Sequence, residues 1–219
     1  FLELGTDTLA TAHHADDQAE TVMMRLNRGS GIAGLAGIRA HRVDVHPEPL
    51  AEMLIVRPLL EWRKDELAQI VADAGIEPVR DASNEDARFD RVRMRAALGE
   101  ADWLDPVAVA RSARILQDAE RIVDTAIRET WDRCVFAEGE AIWFHPGHPF
   151  LIDREIVARI LAEFGSSPRG SAVATMVDAL HRDGAACLGG VMAKRAWHRT
   201  GPRSETDAWK FEREPPRKS

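Results

Sequence analysis

The stretch TAHHADDQAETVMMRLNRGSG, Thr11–Gly31, places two histidines (His13, His14) and three carboxylates (Asp16, Asp17, Glu20) just ahead of two glycines. Side chains of these types hold a divalent ion, cap a helix, or manage the proton and charge of an incoming amine beside a nucleotide. Asp17 and Glu20 stand three apart and so share a helix face, with Thr21 and Arg28 on the same side. Opposite them Ala19, Val22, Met23 and Leu26 form the apolar stripe. Read as a cap, Asp16 or Asp17 starts the helix and Asp17 with Glu20 resembles a capping box. That leaves unexplained why two histidines sit at the mouth of a strand, where α/β proteins place their ligands. Read as a transition-metal site, the stretch lacks the H-E-x-x-H spacing, and no second His/Asp cluster follows downstream. GSGIAG, Gly29–Gly34, fits G-x-G-x-x-G in form, but it follows a helix rather than a strand, so the dinucleotide reading is rejected.

A second polar stretch, RDASNEDARFDRVRMR, runs from Arg80 to Arg95. Ser83 or Asn84 is positioned to cap a helix on which Asn84, Arg88, Arg91 and Arg95 recur every three or four residues. Three guanidiniums along one face suit phosphate, because each offers a planar fork of donors. The plainer alternative is a solvated face with local ion pairs.

The elements that must position these groups are legible as alternating strands and helices. Asp7–His14 is expected as a short buried strand, Met53–Leu60 as a second ending near Pro58, and Glu77–Ala82 as an edge strand. Helices are expected after Asp17, closed by Gly29 and Gly31, and over Arg63–Ala74, stopped by Gly75. Such alternation implies a parallel sheet with crossovers. Beyond Pro106 the pattern turns helical, over Ala108–Trp131, Asp153–Phe164 and Ser171–Arg182. ACLGGVMAKRAW and DAWKFERE then pair as strands about the loop at Thr200–Thr206. The expected division is residues 1–104, an α/β domain, and residues 105–219, a mostly helical domain with a small C-terminal β element.

The composition, 45% hydrophobic and 30% charged with net charge −7, fits a globular protein and argues against a surface coated in basic groups. Cys134 and Cys187 form no C-x-x-C pair, which disfavours a zinc ribbon, an iron–sulfur site or a redox dithiol. No secretion signal or membrane-length apolar run is visible, so the cytoplasm and no membrane are expected. The chain opens on Phe1, apparently inside an element, and is expected to be a fragment.

Taken in order, HHADDQAET, RGSGIAGLAGI, RPLL followed by Arg63, and DASNEDARFDRVRMR resemble tRNA(Ile)-lysidine synthetases of the PP-loop ATP pyrophosphatase superfamily. The match in order and spacing covers about Thr8 to Arg95 and is looser beyond Pro106. Val92 stands where the family usually has asparagine, and the family's N-terminal SGG-x-DS phosphate loop is absent. The resemblance implies the C-terminal portion of a Rossmann-like, adenine nucleotide alpha hydrolase-like parallel-sheet domain followed by an accessory tRNA-contacting domain. It implies ATP and Mg²⁺ as cofactors, with L-lysine and the tRNA(Ile) bearing a CAU anticodon as partners, and it leaves room for a homodimer. The implied reaction adenylates the carbon-2 oxygen of the wobble cytidine, and the lysine ε-amine then displaces AMP to give lysidine.

On that reading Arg91 and Arg95 face the departing pyrophosphate, with Arg28, Arg57, Arg63, Asn84 and Arg88 as further substrate-binding groups. Asp17 and Glu20 hold the lysine ammonium, and His13 positions substrate or relays the proton. Whether Asp17 meets lysine, Mg²⁺ or both is open. Other readings are a different PP-loop tRNA-modifying enzyme, such as a thiolase, and a non-catalytic tRNA-binding remnant. Lacking the phosphate loop, residues 1–219 alone are expected not to turn over ATP.

Overall fold

The computed structural model describes residues 6–47, 50–78, 88, 90–201 and 204–215. The chain forms two compact units, residues 1–121 and 122–219. None of the described helices is long and apolar enough to cross a membrane.

The first unit begins with β1 (Thr8–Ala10), α1 (Ala15–Asn27) and the single turn α2 (Ile32–Leu35). A hairpin of β2 (His41–Pro47) and β3 (Leu50–Val56) follows, then α3 (Lys64–Asp73), α4 (Asp90–Gly99) and the start of α5 (Pro106–Cys134). β3 is the central strand, parallel to β1 and antiparallel to β2. The expected parallel pairing is therefore β1 with β3, and β2, which the sequence reading missed, makes the sheet mixed.

Several boundaries move for physical reasons. The strand expected over Asp7–His14 as a buried one is instead exposed and stops at Ala10, because its partner β3 ends at Val56; beyond it lies His14, the N-cap of α1. Its ring accepts from the Asp17 N–H at 3.3 Å while the Asp17 carboxylate accepts from the His14 N–H at 3.1 Å. The capping box thus joins His14 to Asp17, not Asp17 to Glu20. α1 closes as expected at Gly29, whose φ of 67° favours glycine. β3 ends at Val56 because Pro58–Leu60 turn the chain, and α3 is capped at Arg63 and stopped at Gly75, φ 66°. Glu77 and Pro78 carry no regular structure, and the remainder of the expected edge strand lies outside the described residues.

The second unit receives the end of α5, then β4 (Val135–Glu138), β5 (Ala141–Phe144), α6 (Phe150–Glu163), α7 (Gly170–Asp183), β6 (Ala185–Leu188), β7 (Val191–Gly201) and β8 (Ser204–Arg213). Its five strands form an antiparallel sheet in the order β4-β5-β8-β7-β6. The small β element expected here is therefore a full sheet. ACLGGVMAKRAW, read as one strand, is a hairpin turning at Gly189 and Gly190, φ 59° and 77°, as a two-residue primed turn requires. Ile156, Val157, Ile160 and Leu161 of α6 and Val173, Val177 and Leu180 of α7 pack with Phe144, Val191, Trp209 and Phe211 in the core. The first unit buries mainly small residues, among them Ala15, Ala19, Ala36, Ala110 and Ala113, with Ile55 and Leu60. Alanines let α1 and α5 approach their neighbours closely but bury little area.

Candidate functional site

α1 presents Asp17 and Glu20 one turn apart, and α4 presents Arg91 and Arg95 at the same kind of interval. The two faces meet. Arg91 donates from Nε to Glu20 Oε2 at 2.8 Å and from Nη2 to Asp17 Oδ1 at 2.9 Å. Arg95 donates from Nε to Glu20 Oε1 at 2.6 Å and from Nη2 to Glu20 Oε2 at 3.2 Å. Glu20, with a side chain only 3% exposed, thus has both oxygens occupied by guanidinium. The Glu20 hydrogen bond holds the Arg95 pKa above the ordinary arginine value despite partial burial. Asp17 is nearer the surface, with Oδ1 on Arg91 and Oδ2 on the His14 N–H.

Beside this lattice, Ala12, His13, Asp17, Arg91 and Arg95 line an open cleft of ≈ 310 Å³. His13 Nδ1 lies 2.9 Å from Thr11 Oγ1. Burial lowers the His13 pKa; Asp17 opposes that shift, while Arg57 and Arg91 add to it. A neutral imidazole in this position accepts a proton at neutral pH. Glu20 and Arg95 also line a second cleft, of ≈ 400 Å³, together with Asp16, Arg63 and Lys64. There Asp16 accepts from the Lys64 N–H at 2.8 Å and stands 3.3 Å from Arg63 Nη2, fastening the start of α3 to the start of α1.

Five of the residues expected from sequence, His13, Asp17, Glu20, Arg91 and Arg95, are thus brought together, with Arg63 beside them. Arg57 instead donates to the Arg39 carbonyl at 2.8 Å and lines a separate cleft with Gln18, Arg114 and Gln117. Arg28 pairs with Asp90 at 3.3 Å in an exposed contact. Asn84 lies outside the described residues, as do Ser83 and the expected helix cap. Arg88 sits in a turn ahead of α4, so the arginine stripe is not one helix face. Sequence reasoning missed Gln18, whose amide accepts from the Ile38 N–H at 2.6 Å and donates to the Ile38 carbonyl at 3.0 Å. A buried glutamine amid a run of acids was the available signal, since such a group must find partners.

Residues 1–101 match the PP-loop domain. The likeness to tRNA(Ile)-lysidine synthases runs the length of the chain. It is 38% identical over 219 residues to the enzyme of that name from Novosphingobium aromaticivorans, covering 98% of this chain and 63% of that protein. Its identity to the Zymomonas mobilis tRNA(Ile)-lysidine synthase is 32% over 219 residues, 99% of this chain and 63% of the relative. The Salmonella typhimurium tRNA(Ile)-lysidine synthase is 39% identical over 137 residues, 61% of this chain and 30% of that protein. The chain therefore spans just under two thirds of the length of the first two relatives.

Proposed function

We propose that this chain carries the amine-accepting part of an ATP-dependent ligase, which joins L-lysine to the wobble cytidine of the CAU-anticodon tRNA(Ile) through an adenylated tRNA intermediate. The observation that carries this reading is the Asp17–Glu20–Arg91–Arg95 lattice beside His13, set in a PP-loop domain. A two-substrate ligation of this kind brings an ammonium and phosphates to one place, and the lattice holds carboxylates and guanidiniums that can exchange their present pairing for one with each substrate. Asp17, the shallower carboxylate, receives the lysine ammonium, and neutral His13 takes the proton that frees its lone pair. Arg91, released from Asp17 by that exchange of one cation for another, turns its fork to the phosphates beside Arg95. Glu20 stays buried, holding Arg95 at the wall of the cleft. Arg28, Arg57, Arg63, Asn84 and Arg88 are proposed as further substrate-binding groups, and Arg57 is already near enough to His13 to add to the lowering of its pKa by burial.

ATP supplies the adenylyl group. Mg²⁺ would accompany the ATP phosphates, with Asp17 as its candidate protein ligand, since each carboxylate oxygen keeps a lone pair beyond its present hydrogen bond. No step is assigned to the ion through this residue. The place of action proposed is the cytoplasm, and a homodimer is the assembly to test.

The test is lysine transfer by the full open reading frame that carries these residues, assayed with ATP, labelled L-lysine and a CAU-anticodon tRNA transcript. Asp17→Asn is expected to lower transfer by about a hundredfold or more, in the range seen when a positioned polar group is lost from an active site. Full activity in that variant would remove Asp17 from the mechanism. Failure of the unaltered protein to transfer lysine would overturn the ligase reading itself.

A further inference from the structure

In the second unit, the junction of α5 and β4 aligns a thiol, an imidazole and a carboxylate. Cys134, the last residue of α5, places Sγ 3.6 Å from His148 Nε2. His148 Nδ1 lies 2.9 Å from Asp153 Oδ1. Asp153 is fully buried in the first turn of α6, and its oxygens also accept from the Gly147 and His148 backbone N–H groups at 3.2 and 3.4 Å. His181 Nε2 stands 3.8 Å from its other side. A carboxylate among so many donors acts as acceptor, so His148 Nδ1 carries a proton and donates it. In the neutral ring Nε2 then presents its lone pair to Sγ, and the thiol is the donor of that contact. The Phe144 ring stacks 5.9 Å from the imidazole and helps fix its plane. Nucleophile within reach of a base, and base oriented by a third group, is the relation that activates weak nucleophiles generally. Capping the loop before α6 needs only the two backbone N–H groups on Asp153; the alignment of the ring on sulfur is additional to that task.

We infer that Cys134 is a modification site, a thiol activated by His148 and Asp153 toward small soft electrophiles, with hydroperoxides as the physiological class. In the step, Cys134 passes its proton to His148 Nε2 and the sulfur attacks one peroxide oxygen. The O–O bond breaks, and the departing hydroxide or alkoxide recovers the proton from the imidazolium. The sulfur is oxidised to a sulfenic acid while hydrogen peroxide is reduced to water, or an organic hydroperoxide to its alcohol. The added oxygen enters the contact with His148 and so couples thiol oxidation to the clamp at the start of α6.

Cys187 on β6 provides an internal comparison. It is the more exposed of the two thiols, and among the described residues no hydrogen bond reaches its sulfur. If exposure alone governs reactivity, Cys187 reacts first. With the chain at neutral pH and limiting iodoacetamide, the rate at each cysteine is read by peptide mass spectrometry. Cys134 is expected to react about tenfold faster than Cys187, a modest share of what a positioned base supplies in an enzyme. His148→Gln should bring Cys134 down to or below the Cys187 rate while leaving Cys187 unchanged, which also reports an intact fold. Faster alkylation of Cys187 in the unaltered chain, or a ratio indifferent to His148→Gln, would overturn the proposal. Should that variant unfold, the ratio in the unaltered chain decides. Hydrogen peroxide followed by dimedone should place the sulfenic adduct on Cys134, and an adduct on Cys187 alone would overturn the peroxide assignment.

Discussion

Replacing Glu20 by glutamine tests whether the α1–α4 lattice is held by one buried charge. Glu20 accepts three guanidinium N–H bonds, at 2.6, 2.8 and 3.2 Å, from a side chain 3% exposed. Glutamine keeps one acceptor oxygen and turns an amide donor toward an arginine that is itself a donor. At least one charge-assisted bond is lost, worth roughly 1.5–3 kcal/mol, and a donor is left facing a donor. The arginine side chains are 43% and 39% exposed, so water re-solvates part of what they lose. Screening of that kind brings the expected loss to about 2 kcal/mol, below the cost of breaking a fully buried pair. Hydrogen exchange of α1 and α4 amides across a urea series reads the first unit without interference from the second. Asp44→Asn is the control, since the Arg42–Asp44 pair belongs to the same unit and its side chains are 63% and 35% exposed. Its expected cost is about 0.5 kcal/mol or less. If Glu20→Gln costs no more than the control, Glu20 does not hold the arginines and the lattice reading fails.

His13, with its pKa lowered chiefly by burial, binds fewer protons folded than unfolded just below the ordinary histidine range. Its contribution is complete above about pH 6.5 and is lost as pH falls toward the lowered folded value, so acid should shift the urea midpoint of the first unit downward. His13→Asn should flatten that shift, and an unchanged slope would mean that His13 is not the group responsible. Gly37→Ala should destabilise the first unit by about 2 kcal/mol or more in equilibrium unfolding, since a strained left-handed backbone alone costs on the order of 1–3 kcal/mol. Gly37 has φ 65°, and an added Cβ would come 2.4 Å from Gln18 Oε1, inside the brace to Ile38. Arg28→Ala, by contrast, breaks only an exposed pair and should move the unfolding midpoint by less than about 0.5 kcal/mol; a larger loss would show that Arg28 has a further structural role.

Much of the fold was legible where local chemistry decides it. The stripe of Ala19, Val22, Met23 and Leu26 marks α1, and Gly29 and Gly75 end their helices in the left-handed backbone that favours glycine. The first-unit hairpin was harder to see. β2, HRVDVHP, alternates as a strand should, but Val43 and Val45 are more than half exposed, so the alternation signals no buried face. In the second unit the turns were the readable signal. Gly139 opens a two-residue loop between β4 and β5 at φ 62°, and Gly189–Gly190 does the same between β6 and β7. Reading by apolar runs passed over both, because four-residue strands carry too few positions to show a period. The His14 cap was illegible for another reason. Aspartate is the commoner cap, and two aspartates follow just beyond Ala15; only the folded chain shows that Asp16 is committed to the start of α3.

The site divides along the same line. Sequence spacing identifies an acidic face on one helix and a basic face on another, which suggests two separate half-sites, one for an ammonium and one for phosphates. It carries no sign that groups 71 and 75 residues apart press against each other. Once they do, the half-sites neutralise one another, and neither substrate charge meets a waiting partner. A lone ammonium must displace a guanidinium from Asp17, and a lone phosphate must draw a guanidinium from its carboxylates. Either alone leaves a charge stranded against the 3%-exposed Glu20 or in the cleft, whereas the two together restore every pair. On the proposed ligase reading, the ion-pair lattice therefore favours joint occupancy by the amine and the phosphates over either singly. It holds the site in a neutral, self-satisfied state until both reactants are present, which is the condition under which adenylation becomes useful to the amine that follows.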